Sequence, residues 1–90
     1  MAHVSFTRHL QRYFPELGEV ELPASTLREL VSMLDARFPG LAAYLVEDDG
    51  SLRKHVNVFV DNQIVEDRRE LSDRLGPTAR VHILQALSGG

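Results

Sequence analysis

The chain has 90 residues, of which 43% are hydrophobic and 26% are charged, a composition typical of one compact globular domain. The formal net charge is −3 and no run of lysine or arginine occurs, which argues against nucleic acid or an anionic membrane as a partner. Cysteine is absent, so disulfides, thiolate metal ligands and side-chain persulfides are excluded. No apolar stretch approaches the roughly 18 residues of a membrane-spanning helix, and no signal peptide is recognisable, so a cytoplasmic location is expected.

Two short alternating segments open the chain and predict a β-hairpin. Residues 3–8 place Val4 and Phe6 on one face, and residues 19–22 alternate in the same way. This period of two is typical of a strand that buries one face and exposes the other. Residues 9–18, which join the two segments, are interpreted as a long connection because they contain a proline and a glycine.

Residues 26–38 predict the one main helix of the domain. Thr26 and Glu29 fit a capping box, in which each side chain satisfies a free amide at the helix N-terminus. Pro39-Gly40 ends the helical pattern, and residues 41–54 leave open a further short helical turn under the core. Apolar residues at helical spacing form one continuous stripe, which consists of Leu27, Leu30, Val31, Leu34 and Phe38.

The second half of the chain predicts a hairpin, a helical turn and a closing strand. Residues 55–60 form the strongest strand pattern, and Asp61-Asn62 can turn the chain into a short strand around Ile64-Val65. Residues 69–75 are predicted to form a short helical turn, and residues 79–86 the last strand. A sheet with one helix across one face is an α+β architecture.

This element order, followed by the terminal residues Ser88-Gly89-Gly90, resembles the ubiquitin-like β-grasp fold and, more narrowly, the MoaD/ThiS family of prokaryotic sulfur carriers. The segments most similar to that family are residues 55–62 and residues 81–84. The resemblance implies a mixed sheet of four to five strands with one main helix. In such a sheet the first and last strands run parallel in the middle, and the third strand flanks the last. Residues 1–87 are expected to form the β-grasp domain and residues 88–90 a flexible tail.

The resemblance also implies a protein co-substrate that is not itself an enzyme. The Gly90 carboxylate is expected to be adenylated by an E1-like partner that uses ATP and Mg²⁺, and a sulfur donor then displaces AMP to leave a thiocarboxylate. No cofactor is expected on this chain itself. Gly89 and Gly90 lack a Cβ and can therefore thread a narrow channel, and Ser88 is small enough to follow them. The sulfur acceptor is expected to be a molybdopterin synthase large subunit or a cysteine synthase-like enzyme.

A carrier needs a surface that its partners recognise, and alternation predicts one on the sheet face away from the helix. Phe59 on the third strand and His82 and Leu84 on the last strand are expected to point outward there. Leu87 extends this surface towards the tail. The histidines of this face lack the local spacing of a metal site, so they are interpreted as solvated residues and no metal is expected.

Two other functions remain open on the residues alone. One is a ubiquitin-like modifier that forms isopeptide bonds between Gly90 and lysine side chains of other proteins. The other is a passive β-grasp interaction module in which the terminal glycines are incidental. The length of the chain favours a molybdopterin-type or cysteine-type carrier over the shorter thiamine carriers.

Overall fold

The computed structural model describes residues 1–85, apart from the side chain of His9. The predictions made for Leu87 and for the tail, residues 88–90, lie outside the described residues. Within residues 1–85, none of the helices has the length and apolar character needed to span a membrane. The strands are β1 (Ala2–Phe6), β2 (Val20–Leu22), β3 (Val56–Val60), β4 (Gln63–Ile64) and β5 (Arg80–Gln85), and the helices are α1 (Arg8–Gln11), α2 (Leu27–Arg37) and α3 (Ala42–Leu45).

All five strands form one mixed sheet in the order β2-β1-β5-β3-β4. β1 and β5 run parallel in the middle, with His3 opposite Arg80 and Phe6 opposite Ile83. β3 lies antiparallel on the other side of β5. This arrangement confirms the predicted α+β class, the parallel central pair and the position of the third strand beside the last.

The hydrophobic core lies between one face of this sheet and α2. Alternate residues of the two central strands are buried, among them Val4 on β1 and Ile83 on β5, each 1% exposed. α2 contributes Leu30 and Leu34, both 0% exposed, and Phe38 packs against the core at the end of the predicted stripe. Burial of these side chains removes apolar surface from water and is the main force that holds the helix on the sheet.

The predicted capping box is present at the start of α2. The Thr26 hydroxyl accepts a hydrogen bond from the backbone N–H of Glu29 at 3.2 Å. The Glu29 carboxylate accepts one from the backbone N–H of Ser25 at 2.7 Å, one residue earlier than the usual second amide of this motif. At the other end, the helix stops at its C-cap Phe38, and Gly40 beyond it adopts a φ of +95°, a left-handed conformation that favours glycine.

Replacing Thr26 with alanine is expected to lower the free energy of unfolding by about 1 kcal/mol, because the Glu29 amide then loses its capping acceptor. Thr26→Ser keeps a hydroxyl oxygen at the same place and is expected to retain most of the stability. Urea denaturation of both variants measures the difference as a shift in midpoint at constant slope. Equal midpoints for Thr26→Ala and the parent chain would show that the Thr26 cap does not stabilise the domain.

Two segments differ from their predicted structure. The connection between β1 and β2 contains the short helix α1, which was not predicted. The prediction of a helical turn over residues 69–75 is wrong. The Asp67 carboxylate accepts hydrogen bonds from three backbone amides and from the Ser72 hydroxyl, and these local bonds compete with helix formation. Leu71 moreover has a φ of +55°, which is incompatible with a right-handed helical turn.

The hydrogen bonds that Asp67 accepts make the stability of the domain depend on pH in the acidic range. The hydrogen bond from Ser72, followed by that from the Glu70 amide, lowers the pKa of Asp67 from 3.8 to about 2. A carboxylate with a lowered pKa stabilises the folded state above its unfolded pKa, and this stability is lost as the pH falls through the folded value. The contribution of Asp67 is therefore complete above pH 3.8 and disappears as the pH falls to about 2.

Asp67→Asn is expected to remove this acid-dependent component. The stability advantage of the parent chain over Asp67→Asn should shrink as the pH falls from about 5 towards 2, as measured by denaturant unfolding at each pH. Ser72→Ala removes the largest cause of the pKa shift and should reduce the pH dependence in the same direction. If the free energies of unfolding of the parent chain and Asp67→Asn change with pH in the same way across this range, Asp67 is not the source of the pH dependence.

The β3–β4 hairpin is tied to the beginning of β5. Asp61 and Asn62 have φ values of 50° and 69°, which confirms the predicted turn at these two residues. The Asp61 carboxylate accepts a hydrogen bond from the Arg80 backbone N–H at 3.0 Å, and the Asp61 backbone N–H donates to the Arg80 carbonyl at 2.9 Å. These bonds fix the register in which β3 and β5 present their outward side chains.

Candidate functional site

The outer face of the sheet, opposite α2, carries one continuous row of side chains across four strands. His82 on β5 lies opposite Ser5 on β1 and opposite Phe59 on β3. Phe59 in turn lies opposite Ile64 on β4. Leu84 lies two residues beyond His82 on the same face of β5, because side chains alternate along a strand. The structure thus brings together the three described residues that the sequence predicted for a docking surface.

Three of these residues form an apolar surface, named here the apolar patch: Phe59, Ile64 and Leu84. Ile64 is 53% exposed and Leu84 is 38% exposed, while Phe59 is half-buried. A groove of about 460 Å³ runs along this patch and is lined in part by Phe59, His82 and Leu84. Adjoining exposed apolar side chains of this kind often mark a site of protein–protein interaction.

Ile64 is a member of the apolar patch that was not predicted from the sequence. The sequence placed Ile64 and Val65 in one short strand without assigning either residue to a face. In the structure Val65 is 5% exposed and packs in the core, whereas Ile64 points to the outer face. Alternation between two neighbouring apolar residues was the signal available, but two residues are too few to establish a period.

His82 is held in a fixed orientation at the centre of the outer face. Its Nδ1 atom is hydrogen-bonded to the Ser5 hydroxyl, and the side chain is exposed. The other ring nitrogen, Nε2, takes no part in this bond and can form a hydrogen bond with a docked partner. Ser5 and His82 also line both the groove at the apolar patch and a second groove beside it.

The second groove lies along β2, β1 and the start of β5, extends to Arg37 at the end of α2, and has a volume of about 720 Å³. It is polar, with His3, Glu21 and Arg80 in its lining. His3 Nδ1 lies 2.9 Å from Glu21 Oε1, so this histidine is paired with a carboxylate. In the part of the chain that the structure describes, no group of three histidine or acidic side chains is placed to hold a metal ion.

Comparison with known proteins identifies the family of the chain. Residues 4–90 match the ThiS family. The chain belongs to the ThiS family. The sequence comparison with curated proteins finds no match for this ThiS-family chain.

Solved structures similar to this ThiS-family chain share the whole fold. A chain of the Amycolatopsis orientalis BexX/CysO complex is 26% identical, with a TM-score of 0.86 and coverage of 100% of both chains. Mycobacterium tuberculosis CysO, described as an antigen, is 25% identical with a TM-score of 0.83, covering 97% of this chain and 100% of that one. SAMP1 from Haloferax volcanii is 19% identical with a TM-score of 0.77, covering 99% and 98%, a similarity of fold.

These similarities confirm two of the predictions made from the sequence. The resemblance to MoaD/ThiS sulfur carriers is confirmed by the family match, and the ubiquitin-like β-grasp fold by the CysO structures. The family and the CysO structures together support assignment to the ubiquitin-like sulfur carriers. Gln85, at the end of the central strand β5, is the last residue described before the terminal segment that contains Gly90.

Proposed function

We propose that this ThiS-family chain carries sulfur on the carboxylate of Gly90, which a partner enzyme adenylates and converts to a thiocarboxylate. The observation that carries the proposal is the extent of the family match, which runs to residue 90 and so includes Gly89 and Gly90. The central strand β5 supports it, because a strand bonded on both sides gives the terminal segment a rigid base. The β-grasp domain, residues 1–87, then presents residues 88–90 to the partner.

The terminal carboxylate suits this chemistry. Its pKa of about 3.3–3.7 leaves it ionised at neutral pH, and one of its oxygens can attack the α-phosphorus of ATP while pyrophosphate leaves. The product is a mixed anhydride between Gly90 and AMP. Hydrosulfide, or a sulfur donor of equivalent oxidation state, then attacks the carbonyl carbon of Gly90 and AMP leaves. The partner binds the ATP and Mg²⁺, and this chain provides the acyl group.

In this scheme the domain acts as a co-substrate whose own contribution is recognition. The apolar patch, together with His82 and Leu87, is the surface that docks on the adenylating enzyme. Exposed apolar groups beside a polar rim are the usual composition of such a surface. The A. orientalis structure, which contains CysO in a complex with BexX, supports the idea that a carrier of this type binds a protein partner.

Among the sulfur acceptors expected from the sequence, we favour a cysteine synthase-like enzyme. Two similar solved structures, which are 26% and 25% identical to this chain, are both described as containing CysO. A molybdopterin synthase large subunit is the other expected acceptor. Incubating the sulfur-loaded carrier with each acceptor enzyme and its substrate separates them, because sulfur should leave Gly90 rapidly in one case only.

Intact-mass spectrometry tests the proposed function directly. The full chain is incubated with the adenylating enzyme of the same organism, ATP, Mg²⁺ and sulfide. The expected product carries one sulfur in place of one oxygen at the C-terminus, and omission of ATP or sulfide should prevent its formation. Conjugates to lysine side chains would instead support a modifier, and an unchanged function after deletion of Gly89 and Gly90 would support a passive interaction module.

A further inference from the structure

We propose that Arg80 binds a carboxylate on the adenylating partner. Docking therefore requires that the partner surface carry an apolar side chain and an acidic group next to each other. This inference rests on the proposed function, because it names what the docking partner must present. It concerns the polar groove on the outer face and not the terminal residues.

The two grooves adjoin each other along a shared wall. Ser5 and His82, which are hydrogen-bonded to each other, line both of them. The apolar patch lies on one side of this wall, and Arg80 lies on the other side, two residues before His82 on the same face of β5. A single partner surface that covers the wall therefore contacts the apolar patch and Arg80 at the same time.

The Arg80 guanidinium has no carboxylate partner among residues 1–85. Glu19 and Glu21 line the same groove, and Asp61 lies next to Arg80 across the sheet, but none of the three forms an ion pair with it. Glu21 lies 2.9 Å from His3, and the Asp61 carboxylate accepts a hydrogen bond from the backbone N–H of Arg80 itself. Although the chain carries a net charge of −3, Arg80 therefore exposes a guanidinium that forms no ion pair with a carboxylate of residues 1–85.

A guanidinium at the edge of an apolar docking surface favours a partner carboxylate for physical reasons. Its planar fork of donors matches the two oxygens of a carboxylate, and docking of the apolar patch excludes water and so strengthens the pair. Charge complementarity of this kind contributes mainly to partner choice and to the rate of association. The polar groove, at about 720 Å³, has room for an aspartate or glutamate side chain of the partner.

The test compares charge reversal at Arg80 with the same change elsewhere. Arg80→Glu should raise the KM for the carrier in the adenylation reaction by about tenfold or more, because two carboxylates then face each other. Arg80→Lys keeps the charge and should stay within about threefold of the parent chain. The matched control is Arg74→Glu. Arg74 is exposed. Its backbone forms an isolated antiparallel β-bridge with Thr26 beside the start of α2, away from the outer face.

Two further readings make the result decisive. The kcat at saturating carrier should be the same for all variants, and the KM difference between Arg80→Gln and the parent chain should shrink as salt screens the charge pair. A KM for Arg80→Glu within about threefold of the parent, or an equal rise for Arg74→Glu, would overturn the proposal. Thermal unfolding shows that each variant is folded. If the parent chain itself gains no sulfur, the proposed function fails, whatever Arg80 does.

Discussion

Truncation of the chain after Ser88 is expected to abolish formation of the thiocarboxylate, with a rate loss of at least about a hundredfold. The truncated chain still ends in a carboxylate, so the loss comes from reach and shape. Two extended residues span about 7 Å, and the reacting oxygen must approach the α-phosphorus of ATP to within about 3.5 Å. Ser88 would also bring a side chain into a channel shaped for glycine.

Matched variants separate these causes. Gly90→Ala keeps the length of the chain and adds one methyl group, so any loss of rate measures the narrowness of the channel. Ser88→Ala is expected to react at the rate of the parent chain, because Ser88 has no chemical role in the proposed cycle. Intact-mass spectrometry over time gives all the rates. A truncated chain that gains sulfur as fast as the parent would refute the role of Gly90.

The fold was predictable where one local pattern agrees with the global architecture. The alternation around Val4 and Phe6, and the helical stripe that begins at Leu27, each indicate one element with one buried face. The turn over residues 69–75 was not predictable in this way, because its structure depends on how the Asp67 carboxylate distributes its hydrogen bonds. A helical pattern of Leu71 and Leu75 cannot reveal that competition.

The candidate site was predictable as a face but not as a set of contacts. Alternation along β3 and β5 was sufficient to place Phe59, His82 and Leu84 on one side of the sheet. The hydrogen bond between Ser5 and His82 joins residues that are 77 positions apart, and it depends on the register of β1 against β5. Register between distant parallel strands is a tertiary property, so the wall between the two grooves became visible only in the structure.

Leu84→Asp is expected to raise the KM for the carrier in adenylation by about a hundredfold while the domain stays folded. Leu84 is 38% exposed, so water reaches an aspartate there in the free carrier, and the loss of stability is smaller than at the buried neighbour Ile83, which is 1% exposed. In the docked state the same carboxylate must lose its water against an apolar surface, which is unfavourable without a partner charge. This desolvation therefore weakens binding to the adenylating enzyme much more than it lowers the free energy of unfolding.

Two control variants identify the cause of the lost affinity. Ser32→Asp adds the same charge to the exposed side of α2, away from the outer face, and should leave KM unchanged. Leu84→Met keeps an apolar side chain of similar volume and should raise KM by no more than a few fold. Steady-state kinetics with the adenylating enzyme measures each KM, and circular dichroism reports folding. If Leu84→Asp and Ser32→Asp show the same KM, the apolar patch is not the surface that the adenylating enzyme binds, and docking depends on another part of the domain.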